Sequence, residues 1–301
     1  MVRSSIEKSV EKLKKTVKTS ERREPRIEPP LEETHPNDAI NVSVTASASK
    51  TDTQEPSQPE TYPILSTLEA HNMVTPSLND SRQAEEYRQI KRPLLSNVSG
   101  KRASATDHGN VIMITSALPG EGKTYTTINL AMSIATERDR SVLLVDCDVI
   151  KRSLSSLFGM EEHPGLIDYL DGSVAGLNDV IVGTDMSSLK ILPAGHTDSY
   201  STELLASDEM GRIMDEMAVR YPDRIIIFDS PPLLMTSQSV ELTNHAGQIL
   251  VVVEEGVTSQ KAVLEAISKL DQNKVIGTVL NKRSRLSPGE QYGGYYGSYG
   301  E

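Results

Sequence analysis

VIMITSALPGEGKT, residues 111–124, joins an apolar, β-branched run to a glycine-punctuated turn and then to TYTTINLAMSIATE, whose apolar spacing is helical. Ala117-x4-Gly122-Lys123-Thr124 has the spacing of a phosphate-binding loop, with alanine where the commonest pattern has glycine. Each part has a physical reason. Gly120 and Gly122 let the backbone wrap so that successive N–H groups converge on phosphate oxygens, and the following helix presents its positive end there. Lys123 reaches the β- and γ-phosphates, and the Thr124 hydroxyl is suited to ligate Mg²⁺. The nucleotide-binding stretch is therefore read as Pro119, Gly120, Glu121, Gly122, Lys123, Thr124 and Tyr125.

Working outward, apolar runs recur at VLLVD (142–146), LKILP (189–193), IIIFD (225–229), ILVVV (249–253) and VIGTVLN (275–281), with helical spacings between most of them. Continuous apolar strands alternating with helices predict a doubly wound α/β domain, a mostly parallel sheet covered on both faces, over 81–285. SRQAEEYRQIKRPLL (81–95) reads as a helix ended by Pro93. Residues 19–80, rich in Pro, Ser, Thr, Asn and Glu without a sustained period, read as a disordered linker. Ile6, Val10, Leu13 and Val17 form one stripe of a short amphipathic helix over 1–18. A partner, an anionic membrane surface or plain solvent would each suit it.

Two acidic sites stand at predicted strand ends, the edge where open α/β sheets bind ligands. VLLVDCD supplies Asp146 and Asp148, and IIIFDSPP supplies Asp229. Carboxylates near phosphate-bound Mg²⁺ orient its waters or accept a proton from an attacking hydroxyl. Thr124, Asp148 and Asp229 are the candidate metal residues, and Lys123, Asp146, Asp148 and Asp229 the candidate catalytic ones. Cys147, between the aspartates, reads as a small buried apolar residue. LNKRS (280–284) lacks the carboxylate of a guanine reader, since position 284 is Ser284, so ATP is the expected nucleotide.

Composition narrows the function further. A formal net charge of −11 argues against a phosphate-backbone footprint, so no nucleic-acid partner is expected. The single cysteine suits a reducing compartment. No N-terminal apolar stretch reads as a signal peptide, and no run approaches the ~20 residues of a membrane span. A cytoplasmic chain is the expectation. Four of the ten tyrosines, Tyr292, Tyr295, Tyr296 and Tyr299, lie in the last ten residues, QYGGYYGSYGE being the final stretch. Tyr292 follows the last predicted strand by about 11 residues, a reach of up to ~40 Å.

ALPGEGKT, VLLVDCD, IIIFDSPP and the terminal tyrosines together resemble the bacterial tyrosine kinases, whose P-loop fold is unrelated to that of eukaryotic kinases. The likeness covers about 81 to the end and extends to PGLIDYLDG (164–172), LPAG (192–195), TELLAS (202–207) and the strand end at Asn281. IEKSVEKL and EEYRQIKRPLL are similar to the soluble type associated with exosortase and exopolysaccharide gene clusters. The resemblance implies ATP and Mg²⁺ as cofactors and adds Asn281 to the nucleotide site. It makes Asp146 the residue that activates the tyrosine hydroxyl, and 286–301 an autophosphorylated tail. The family's Glu-x-x-Arg-x-x-Arg self-association motif maps onto Glu85, Arg88 and Lys91, with Arg92 adjoining. Implied partners are a ring-like homo-oligomer, a membrane chain-length-regulating protein and a cognate phosphotyrosine phosphatase. The implied location is cytoplasmic and peripheral to the inner membrane. Leu118 stands where partition and cell-division ATPases carry a second lysine, and Val149-Ile150 delay the basic residues after Asp148 to Lys151 and Arg152. The competing readings are a P-loop ATPase switch that phosphorylates nothing and an ATP-bound scaffold of a polysaccharide secretion complex.

Overall fold

The computed structural model describes residues 61–99, 107–220 and 223–283. The amphipathic helix expected over 1–18 and the tail tyrosines lie outside the described residues. In chain order the elements are β1 (Thr61–Tyr62), α1 (Ile64–Ala70), α2 (Arg82–Val98), β2 (Val111–Ser116), α3 (Lys123–Ala135), β3 (Ser141–Asp146), α4 (Ser153–Leu157) and α5 (Leu166–Leu170). They continue with β4 (Val182–Thr184), β5 (Leu189–Leu192), α6 (Ser201–Leu205), α7 (Asp208–Arg220), β6 (Arg224–Asp229), α8 (Ser237–Thr243), β7 (Gln248–Glu254), α9 (Gln260–Ser268) and β8 (Val275–Asn281).

The strands form one sheet ordered β1-β4-β5-β3-β6-β2-β7-β8. Every pairing is parallel except β4 with β5. The central strands are apolar at both parities because both faces are covered. Met113, Leu143, Phe228 and Val251 face one core with Met210, Met214 and Met217 of α7. Ile112, Leu144, Ile227 and Leu250 face the other with Ile128, Leu130 and Ile134 of α3.

The second face explains the N-terminal elements. α3 is buried along nearly its whole length, so a further layer must cover it. α1 and α2 supply that layer through Ile64, Leu68, Ala84, Tyr87 and Leu94. The expected linker is therefore corrected at its C-terminal end: residues 61–80, read as part of it, carry a strand and a helix, Thr61–Tyr62 and Ile64–Ala70. Its short apolar groups had no period of their own. They find partners on the sheet, where the Asp185 carboxylate accepts hydrogen bonds from the Ile64 and Leu65 N–H groups at 3.1 and 3.3 Å.

Pro93 does not end α2, which runs on to Val98. Contacts beyond the proline hold the last turn: Gln248 Nε2 donates to the Leu94 carbonyl at 3.1 Å, and Asn97 Nδ2 donates to Gln248 Oε1 at 2.8 Å. Tertiary hydrogen bonding there outweighs the local cost of proline. Between β5 and β6 the chain forms two helices, α6 and α7, separated at Ala206–Ser207.

Candidate active site

β2 runs into the loop Ala117–Gly122, and α3 begins at Lys123. Gly120 and Gly122 take the left-handed backbone, with φ of +88° and +93°, a region glycine enters without the clash of a side chain. No side chain caps α3, so its first N–H groups remain available to a ligand. A Cβ on Gly120 would meet nothing within 4 Å, whereas one on Gly122 would lie 2.1 Å from Asn281 Nδ2. The loop is thus open at its tip and closely backed by β8.

Other contacts set the loop's shape. Asn281 Nδ2 donates to the Glu121 carbonyl at 2.9 Å, and Lys282 Nζ donates to the Gly120 carbonyl at 2.6 Å. Glu121, only 2% exposed, turns its carboxylate back beneath the loop. There it accepts from the Leu118 N–H at 2.6 Å and from the Thr258 hydroxyl. Tyr125 lies in the first turn of α3. Its hydroxyl accepts a 2.6 Å hydrogen bond from Gln83 of α2, so its side chain serves the helix interface.

The acidic residues converge where β3 and β6 lie side by side, with Asp146 in register with Asp229. Asp229 Oδ2 accepts from the Thr124 hydroxyl at 2.6 Å, and Oδ1 from the Thr127 hydroxyl at 3.1 Å. Asp146 accepts from the N–H and hydroxyl of Ser155 at 2.9 and 2.7 Å, and from the Asp148 N–H at 3.2 Å. Asp148 turns toward Lys123, with Oδ2 3.9 Å from Nζ. Burial pushes the Asp229 carboxyl up to about 7, and the charge of Asp146 adds to the effect against the opposing Thr124 hydrogen bond. Burial likewise lifts Asp146 to about 6, opposed by its bonds to Ser155. Cys147 is fully buried and its thiol is pushed well above the ordinary value by that burial.

The loop and this oxygen-only donor set fit a nucleotide and Mg²⁺. Amides and an ammonium suit phosphate, while a hydroxyl and carboxylates suit a hard cation that keeps part of its water shell. Among the described residues no group of three or more His, Cys, Asp or Glu side chains encloses a metal without help.

Two residues of the expected self-association motif lie on the surface of α2, where Arg88 pairs with Glu85 at 2.6 Å. Lys91 does not join them. It is 7% exposed and faces α3, pairing with Glu137 at 3.0 Å and donating to the Ser133 carbonyl. Arg92 is exposed and lies one helical face around, in line with Glu85 and Arg88.

Strand, glycine-turned loop, uncapped helix and flanking carboxylates define a P-loop nucleotide-binding α/β domain. A family profile described as "AAA domain" matches residues 109–281. The chain is 32% identical over 189 residues to the tyrosine-protein kinase Wzc of Salmonella typhimurium, covering 62% of this chain and 26% of that protein. It is 30% identical over 229 residues to the tyrosine-protein kinase YwqD of Bacillus subtilis, covering 75% of this chain and 92% of that one. The solved kinase domain of Escherichia coli tyrosine kinase ETK superposes with a TM-score of 0.60 at 27% identity, over 75% of this chain and 86% of that one. The VpsO kinase domain gives 0.52 at 31%, over 66% and 100%. The chain spans about a quarter of the Wzc relatives' length and nearly all of YwqD. It belongs to the bacterial tyrosine kinase family.

Thr127, Ser155, Thr258 and Lys282 complete the site and were not read from the sequence. Thr127 had a signal, since it stands one helical turn from Thr124 and shares a face with it. The other three are brought in by folding alone.

Proposed function

We propose that this chain is an ATP- and Mg²⁺-dependent protein-tyrosine autokinase whose acceptors are Tyr292, Tyr295, Tyr296 and Tyr299. Lys123 and the loop amides hold the phosphates and stabilise charge on the transferring group. Thr124, Asp148 and Asp229 would hold Mg²⁺, which would neutralise phosphate charge there. The tyrosine oxygen forms its bond to the γ-phosphorus as the bond to the ADP oxygen breaks, and Asp146 receives the phenol proton. A carboxyl lifted to about 6 is ionised at neutral pH yet basic enough to take that proton. Ser155 orients it.

One observation carries this reading. Lys282, one residue beyond β8, donates to the Gly120 carbonyl, so the chain leaves the sheet at the phosphate loop itself. Tyr292 follows Arg283 by nine residues, at most ~30 Å of extended chain. Tethering at that distance gives an effective concentration of the order of millimolar, enough for weak intrinsic recognition.

The proposal extends to regulation of exopolysaccharide polymerisation or export, alongside a membrane chain-length regulator and a phosphotyrosine phosphatase. In that setting the protein sits at the inner membrane's cytoplasmic face through its partner. No helix among the described residues is long and apolar enough to cross a membrane. Each added phosphate brings about −1.5 to −2 charges, so tail phosphorylation would loosen a ring-like homo-oligomer by repulsion. Equal size-exclusion profiles of phosphorylated and dephosphorylated protein would remove that extension.

The test is incubation of purified protein with Mg-ATP, with phosphotyrosine mapped by mass spectrometry, beside a truncation after Pro288. Phosphate on the four tail tyrosines, absent from the truncation, is the expected result. ATP hydrolysis without tail labelling would replace the kinase by a non-kinase ATPase switch.

A further inference from the structure

Four large apolar side chains stand exposed in the segments that follow four neighbouring strands. Ile150 is 64% exposed, Met235 60%, Leu118 38% and Val257 72%. They follow the C-terminal ends of β3, β6, β2 and β7, which are consecutive neighbours in the sheet. Each is tied to the loop by an adjacent contact. Leu118 belongs to it. Ile150 is two residues beyond Asp148, which faces Lys123. Met235 follows Leu234, whose N–H donates to the Ala117 carbonyl at 3.3 Å. Val257 precedes Thr258, whose hydroxyl donates to Glu121. A single apolar residue on a surface needs no explanation, but four exposed at adjacent strand ends beside a reactive site call for one.

Resting on the kinase reading above, we propose that these four side chains form the acceptor-recognition rim, and that its occupant is the chain's own C-terminal segment, residues 291–300. Length and exit point support that occupant. The last described residue, Arg283, follows Lys282, which already touches Gly120, and the remaining 18 residues reach any point of the rim. Chemistry supports it equally. The segment QYGGYYGSYG carries no charged side chain between Glu290 and Glu301, so recognition cannot come from ion pairs and must use its phenol rings. Tyrosine presents an apolar ring face and a polar tip. Aliphatic and thioether side chains at the rim can hold the ring while the hydroxyl points inward to Asp146. Glycines between the tyrosines let any of the four seat in turn. Attachment of phosphate makes the ring's tip dianionic and hydrated, which weakens an apolar seat and favours release.

The test needs no catalysis. Full-length protein carrying p-benzoylphenylalanine in place of Tyr299 is irradiated with a non-hydrolysable ATP analogue, and the cross-linked peptides are identified. Cross-links within the peptides containing Leu118, Ile150, Met235 or Val257, lost when Ile150→Ser and Met235→Ser are combined, support the rim. Cross-links elsewhere, or unchanged in that double variant, overturn it. In parallel, Ile150→Ser and Met235→Ser in the otherwise native chain should each slow tail phosphorylation about tenfold while leaving KM for Mg-ATP unchanged. Wild-type labelling rates in both would sink the rim while leaving the kinase assignment standing. A native chain that labels no tyrosine would sink the kinase assignment, whatever the cross-link map shows.

Discussion

The Thr124 hydroxyl donates a 2.6 Å hydrogen bond to Oδ2 of Asp229, joining the first turn after the phosphate loop to a strand end 105 residues away. This bond holds the hydroxyl oxygen and a carboxylate side by side, both suited to a hard cation. Thr124→Val should therefore reduce tail phosphorylation by about 10² and raise the Mg²⁺ concentration needed for half-maximal rate. Thr124→Ser should restore most of the rate. Rates measured across a Mg²⁺ titration check both.

Asp229 also makes stability depend on pH. Its carboxyl is raised to about 7 in the folded chain from an ordinary 3.8, so the folded state holds its proton more tightly than the unfolded state. The resulting stabilisation is full below about pH 4, declines as pH rises, and is gone above about 7. Asp229→Asn should flatten this decline and make the nucleotide-free domain more stable at pH 7.5, by up to about 4 kcal/mol, while abolishing Mg²⁺-dependent phosphorylation. Thermal unfolding at pH 5 and 7.5 would reveal it, and a variant less stable than wild type at both would contradict the account.

Ser155 holds Asp146 by two hydrogen bonds to one oxygen. The hydroxyl bond favours the ionised form. Ser155→Ala should raise the Asp146 pKa and shift the acid limb of the kcat profile to higher pH, with KM for ATP nearly unchanged. An unmoved limb would mean that Asp146 is not the proton acceptor.

Lys91 and Arg92 are neighbours in sequence with different tasks. Lys91→Ala removes the buried contacts to Ser133 and Glu137 and should cost about 1–3 kcal/mol of stability without altering the folded oligomer. Arg92→Ala, at an exposed position, should leave the unfolding midpoint in place and shift the oligomer distribution in sedimentation. The reverse pattern would return Lys91 to the self-association surface.

Lys123→Met should lower tail phosphotyrosine by at least ~10²–10³. Mass spectrometry of the tail after a fixed incubation measures this directly, and wild-type labelling would refute the assignment of the loop.

The central strands were legible because a parallel sheet buried on both faces demands unbroken apolar runs. IIIFD and VLLVD cannot avoid showing them. The phosphate loop was legible for a similar reason, since its glycine and lysine positions answer to a ligand of fixed shape. The N-terminal layer was not. Thr61–Tyr62 pairs with β4 and α1 packs on the sheet, but elements of two and seven residues carry too little periodicity to distinguish them from a linker. Pro93 misled in the other direction, because local propensity counts the lost helical hydrogen bond and not the anchors that Gln248 supplies to the helix beyond it.

By itself the amino-acid order determined the layer architecture, the phosphate-binding loop and the identity of the acidic residues, all of which depend on local pattern. Folding decided which of those acids lost their water, that Lys91 turned inward while Arg92 did not, and that Lys282 came to rest on Gly120. Those outcomes depend on packing between segments far apart in the chain, and burial and charge proximity exist only once that packing is made.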